Sequence, residues 1–90
     1  MDYRQLHAFV VLAEELHFGQ AALRLNVTQP ALTQQIKNFE NALGIMLFVR
    51  DRRHVSLTAE GLFLLDEARI ILGHCDRFLE SVNSLRRGHQ

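Results

Sequence analysis

Gln20-Ala21-Ala22-Leu23-Arg24-Leu25-Asn26-Val27-Thr28-Gln29-Pro30-Ala31-Leu32-Thr33-Gln34-Gln35-Ile36 reads as a short helix, a tight turn and a second helix. The alanine pair lets two helices approach closely. Asn26 stands where the chain must reverse, and Asn tolerates a left-handed backbone there. Thr28 is a good N-cap, and Pro30 falls in the first helical turn, where its missing N–H costs nothing. The second helix then offers water a face of Gln29, Thr33, Gln34 and Lys37, with little charge. Such a face suits base edges in a DNA major groove.

Working outward, Asp2 and Gln5 have capping-box spacing, and Leu6, Phe9, Val10, Ala13 and Leu16 recur at helical intervals. They predict a first helix over roughly residues 3–16 with one apolar face. Phe18 is expected to plug the core as the second helix starts, with Leu25 and Val27 anchoring the turn. Leu32, Ile36, Phe39 and Leu43 mark the buried stripe of the third helix, and Gly44 is its natural stop. Three helices thus suffice for a small core.

Two β-leaning runs follow, Leu47-Phe48-Val49-Arg50 and Val55-Ser56-Leu57, around the charged turn Asp51-Arg52-Arg53-His54. A hairpin after a helix-turn-helix is a wing, and its arginines form the strongest cationic cluster in the chain. Thr58 then caps a last helix with Glu60 in its first turn. Three heptad-like rows run along it: Leu64, Ile71, Phe78 and Leu85; Gly61, Ala68, Cys75 and Val82; Leu65, Leu72 and Leu79. Nearly thirty residues make a helix about 40 Å long, which overshoots a domain this small. Its far half needs a partner, most simply the same helix of a second chain. Arg86, Arg87 and Gly88 read as the end of that helix. The expected architecture is mainly α, a winged helix-turn-helix over 1–58 followed by a linker and dimerisation helix over 59–90.

Composition sets limits. Ninety residues, 48% of them hydrophobic, make one ordered unit. No apolar run is long enough to cross a membrane and no signal peptide is evident. A single cysteine, Cys75, excludes an internal disulfide framework and suits a reducing cytoplasm. Formal net charge is zero, but Lys37, Arg50, Arg52 and Arg53 against Glu40 and Asp51 leave a local positive surplus. Such a patch can steer a phosphate backbone.

The order of these parts resembles the DNA-binding domain of LysR-type transcriptional regulators. The resemblance rests on Phe18, Ala21-Ala22, Leu25, Val27-Thr28-Gln29-Pro30-Ala31-Leu32-Thr33, Ile36, Glu40, Leu43-Gly44, Leu47-Phe48, Arg50 and Leu57-Thr58-Ala59-Glu60-Gly61. It implies a bacterial, cytoplasmic regulator that binds an interrupted palindrome as a homodimer. It also implies a C-terminal domain that senses a small-molecule effector, so this chain reads as the DNA-binding fragment alone. Carried over by position, Gln29 and Pro30 would touch bases, Thr33 a phosphate or base, and Gln34 the groove. Arg53 would lie in the flanking minor groove, with Arg50 and Arg52 near the backbone. Thr28, Ala31 and Lys37 complete the expected DNA-binding set. Leu64, Ala68, Ile71, Leu72, Cys75, Phe78, Leu79 and Val82 form the expected dimerisation set.

Three positions depart from the family pattern. Gln34 stands where arginine is common, which favours adenine over guanine. Gln20 replaces a frequent basic residue, and Gly19 a frequent hydroxyl. His17 is expected at the start of the second helix, where relatives often place a cap.

Other readings were open from the residues alone. Glutamines and threonines on a helix are ordinarily solvated surface, and the chain could be a helical protein-interaction and dimerisation module without DNA readout. Cys75 reads as a small apolar residue, although near the crossing of an antiparallel helix pair it could face its own copy. The five histidines are scattered and propose no metal site. No nucleophile–base constellation, Walker loop, HExxH or CxxC pair points to an enzyme or a cofactor.

Overall fold

The structure, a computed structural model, describes residues 1–51 and 53–88. Six elements follow in order: α1 (Tyr3–Glu15), α2 (Phe18–Leu25), α3 (Gln29–Leu43), β1 (Phe48–Arg50), β2 (Val55–Leu57) and α4 (Ala59–Arg86). The helix starts are capped by side chains. The Asp2 carboxylate accepts from Gln5 N at 2.9 Å while the Gln5 side chain accepts from Asp2 N at 3.1 Å. His17 Nδ1 accepts from Gln20 N at 3.0 Å, Thr28 Oγ1 from Ala31 N at 3.2 Å, and Thr58 Oγ1 from Gly61 N at 2.9 Å. Asn26 (φ 59°) and Gly44 (φ 69°) end α2 and α3 in the left-handed region.

α1 is the central strut. Ala8, Phe9, Val10, Val11, Leu12 and Ala13 are all buried, because α2, α3 and α4 each pack against it. The expected single apolar face understated this helix, since Ala8, Val11 and Leu12 are enclosed as well. Leu16, expected at the end of that face, instead closes α1 with φ 49° and stays partly exposed. Val27 and Leu43 also remain partly exposed: Val27 lies just beyond the Asn26 turn, and Leu43 is the last residue of α3.

The core extends past three helices. The Phe9 ring lies 6.2 Å from Phe39 and 5.8 Å, edge-on, from Phe48. Leu47 and Phe48 from the hairpin, and Leu65 and Ala68 from α4, are buried in the same cluster. The hairpin is antiparallel, pairing Phe48 with Leu57, Val49 with Ser56 and Arg50 with Val55.

α4 starts from a fixed point. The Leu47 carbonyl accepts from Thr58 N at 3.0 Å, and Thr58 Oγ1 donates to the Met46 carbonyl at 2.7 Å. A Cβ on Gly61 would sit 2.2 Å from the Leu47 carbonyl oxygen, so only glycine lets the helix lie this close. Past Leu72 the helix runs clear of the core cluster, which gives the molecule its 55 × 25 × 20 Å shape.

The expected dimerisation residues divide along α4. Ala68, only 3% exposed, is buried in the chain's own core cluster. Leu64, Leu72, Cys75 and Val82 are half-buried, whereas Ile71, Phe78 and Leu79 are exposed. Leu62, Phe63 and Ile70 are exposed too, so apolar surface on α4 spreads beyond the heptad rows. Among the described residues, no helix is long and apolar enough to cross a membrane.

Candidate nucleic-acid interface

The N-terminal turns of α3 are exposed because the Asn26 reversal and the Thr28 cap lift them off the core. Thr28, Gln29, Pro30, Ala31, Gln34 and Lys37 are exposed and Thr33 is half-buried, while Leu32 and Ile36 on the opposite face are fully buried. Two polar clefts flank this ridge. One runs towards the wing, between His17, Gly19 and Gln29 on one wall and Arg53 and His54 on the other. The other runs towards α1, between Arg4 and Gln5 and the α3 residues Ala31, Gln34, Gln35 and Asn38. The expected reading face therefore lies between two polar walls, each carrying an arginine.

The wing tip is held by its own acid. Asp51 Oδ1 accepts from Arg53 N at 2.8 Å and His54 N at 2.7 Å, and Asp51 N donates to the His54 carbonyl at 3.0 Å. Those backbone donors, Arg53 first, hold the Asp51 carboxyl below its usual range. The Asp51 side chain thereby makes the tight turn for which no Asn-Gly signal exists. Arg53 and His54 project from it, exposed. Arg52, expected beside them, lies outside the described residues.

Arg50, expected near the DNA backbone, lines the wing-side cleft and is also tied to its own fold. Its Nη2 donates to Glu40 Oε1 at 3.2 Å, and its guanidinium carbon stands 5.2 Å from the centre of the Phe18 ring. Glu40, 3% exposed, also accepts from Leu47 N at 2.8 Å and Phe48 N at 3.1 Å through Oε2. The sequence reading gives Glu40 a place in the charge balance and in the family resemblance, but no buried partner. The signal was present: Glu40 follows Ile36 by four and precedes Leu43 by three, on the apolar stripe of α3.

Arg4 and Asn38 were missed as well. Arg4 precedes any apolar pattern, and only the packing of α1 across α3 brings it to the reading face. Asn38 Oδ1 accepts from Gln34 Nε2 at 2.9 Å, so the Gln34 amide is oriented by a neighbour one helical turn away.

This arrangement has known counterparts. Residues 3–62 match the family described as "Bacterial regulatory helix-turn-helix protein, lysR family". The chain belongs to the LysR family. It is 46% identical over 90 residues to the HTH-type transcriptional regulator AlsR of Bacillus subtilis, and 45% identical over 87 residues to XapR of Escherichia coli. These matches cover 100% and 97% of the chain but 30% of either relative, so the chain spans under a third of their length. Among solved structures, the BenM DNA-binding domain on catB site 1 DNA superimposes with a TM-score of 0.91 at 38% identity, covering 100% of this chain and 97% of that one. The CbnR DNA-binding domain in its DNA complex superimposes with a TM-score of 0.87 at 37% identity, covering 96% and 99%. The LysR-family winged helix-turn-helix is thus the fold of this chain, and the matched relatives are regulators, not enzymes.

Proposed function

We propose that this LysR-family chain binds duplex DNA sequence-specifically, as a homodimer, in the service of cytoplasmic bacterial transcription regulation. The observation that carries the reading is the exposed, low-charge start of α3 between clefts walled by Arg53 and Arg4. Gln29, Pro30, Thr33 and Gln34 meet base edges in the major groove, with Thr28, Ala31 and Lys37 beside them. Arg53 enters the flanking minor groove, and Arg4 meets a phosphate on the other side. A narrow A·T-rich minor groove concentrates negative potential and favours the wing arginine. Residues 1–58 are the reading unit and 59–90 the pairing unit.

The exposed row on α4 supports pairing. In an antiparallel helix pair with its axis between His74 and Cys75, Leu64 meets the partner's Leu85 and Ile71 meets the partner's Phe78. Phe78, at 68% exposure, lies outside the core cluster of its own chain. Any effector acts through the part of the relatives' length that this chain does not span.

Selection from a randomised duplex library tests this reading. An interrupted two-fold site is expected, with A·T-rich flanks and arm centres about one DNA turn or a multiple apart. Recovery of no preferred sequence would leave the competing reading, a helical dimerisation module. A helix-three variant such as Gln29→Ala separates the two, since it weakens DNA binding and leaves dimerisation intact.

A further inference from the structure

Three side chains from three elements meet at the base of the wing. Glu40 comes from the reading helix α3, Arg50 from the end of β1, and Phe18 from the start of α2. The Glu40 carboxylate ties down the backbone leading into β1 through Leu47 N and Phe48 N, and with its other oxygen takes the Arg50 guanidinium. Phe18 covers that guanidinium from the α2 side. Among the described residues, the buried Arg50 Nε has no hydrogen-bond partner.

At the wing, Asp51 closes its own turn by accepting from Arg53 N and His54 N. Arg50 stands where the hairpin is joined to α3 through Glu40. Resting on the DNA-binding reading above, we propose that Arg50 is a positioning residue. Held between Glu40 and Phe18, it sets the angle between wing and reading helix, so that Arg53 reaches the minor groove when α3 is seated. The guanidinium lines the wing-side cleft with Arg53, yet its Nη2 is engaged by the buried Glu40 carboxylate and its face by the Phe18 ring. Charge at Arg50 is therefore matched internally, and its effect on DNA passes through Arg53.

A double-mutant cycle separates action through Arg53 from direct contact. The probe is the duplex that the wild-type protein selects, together with a copy whose A·T flanks are exchanged for G·C. Arg50→Gln should lower affinity for the first duplex by about fivefold or more and shrink the flank preference towards unity. Recognition of the core half-site is retained. In an Arg53→Ala background, Arg50→Gln should add nothing further. Phe18→Leu, which removes the ring face and keeps an apolar core residue, should behave like Arg50→Gln, and Arg50→Lys should restore little because it lacks the planar group. Additive losses at Arg50 and Arg53 would overturn the proposal, because they mean a contact of Arg50's own. So would loss of core and flank recognition in equal proportion alongside a lowered melting temperature, the mark of a purely structural role. A wild-type protein that selects no duplex overturns the DNA-binding reading itself, and this inference with it.

Discussion

Gln34 carries the sharpest residue-level consequence. One of its amide hydrogens is donated to Asn38; Oε1 and the second N–H are the acceptor and donor types that adenine N6 and N7 call for. Gln34→Arg is expected to move the preferred base in each half-site from adenine to guanine, with about 1–3 kcal/mol of discrimination. A binding-site selection that returns the same base for both proteins would refute this. Asn38→Ala should blunt the adenine preference without reversing it. Arg53→Ala and Arg4→Ala should each reduce the salt slope of binding by about one unit, read from affinities at several salt concentrations. At this scale the sequence was readable where function rests on local geometry: Thr28, Pro30 and Asn26 declare the turn by their own conformational preferences. Arg50 and Glu40 were not readable as a pair. Ten positions separate them, and a charge acquires a buried partner only when the chain folds back.

α4 lies close against backbone where Gly61 meets Leu47, the residue before β1. Gly61→Ala improves helix propensity by about 1 kcal/mol, yet its new methyl collides with the Leu47 carbonyl. A backbone atom cannot swing aside, so overpacking of about 1–3 kcal/mol outweighs the gain. Urea unfolding should show Gly61→Ala net destabilised. Gly73, on the same helix, has nothing within 4 Å of the added Cβ, and Gly73→Ala should be stabilised by up to about 1 kcal/mol. A matching sign for the two variants would contradict the close approach. Sequence periodicity identified all the helices and both strands, but it treated α1 as amphipathic. Ala8, Val11 and Leu12 are buried as well because α2, α3 and α4 all pack against α1, an arrangement that no local pattern contains.

α1, α2 and α4 are also linked by charge. Glu14 accepts from Arg24 Nη1 at 3.0 Å and from Arg69 Nη2 at 3.3 Å, and Arg24 donates to Glu15 at 2.9 Å. Burial pushes the Glu14 carboxyl up, but the hydrogen bonds and charges of Arg24 and Arg69 outweigh it and leave it lowered. A carboxylate with a lowered folded-state pKa contributes stability above its unfolded pKa and loses it as pH falls through the folded value. The melting temperature should fall on acidification through the carboxylate range, and Glu14→Gln should flatten that fall. The effect is modest, because solvent screens these surface pairs. An identical acid limb in wild type and variant would remove Glu14 from the account.

At the scale of the whole molecule, half of α4 projects from a core that cannot cover it. The heptad rows announced that surplus, and the structure shows how it divides: Ala68 and Leu65 serve the chain's own core, whereas Phe78 and Leu85 remain exposed. Phe78→Glu should convert a dimer to a monomer in sedimentation equilibrium while leaving the circular dichroism melt of the winged core in place. Loss of dimerisation should in turn weaken binding to a two-armed site far more than to a single arm. The central claim, that a dimer reads DNA with α3 and its wing, meets its most direct test in one titration. Gel shifts are measured on an interrupted palindrome with A·T-rich flanks, across a range of salt. The account predicts two protomers per duplex, preference over a scrambled duplex, and an affinity that falls linearly with salt on logarithmic axes. No shift at low salt, or equal affinity for the scrambled duplex, would contradict it.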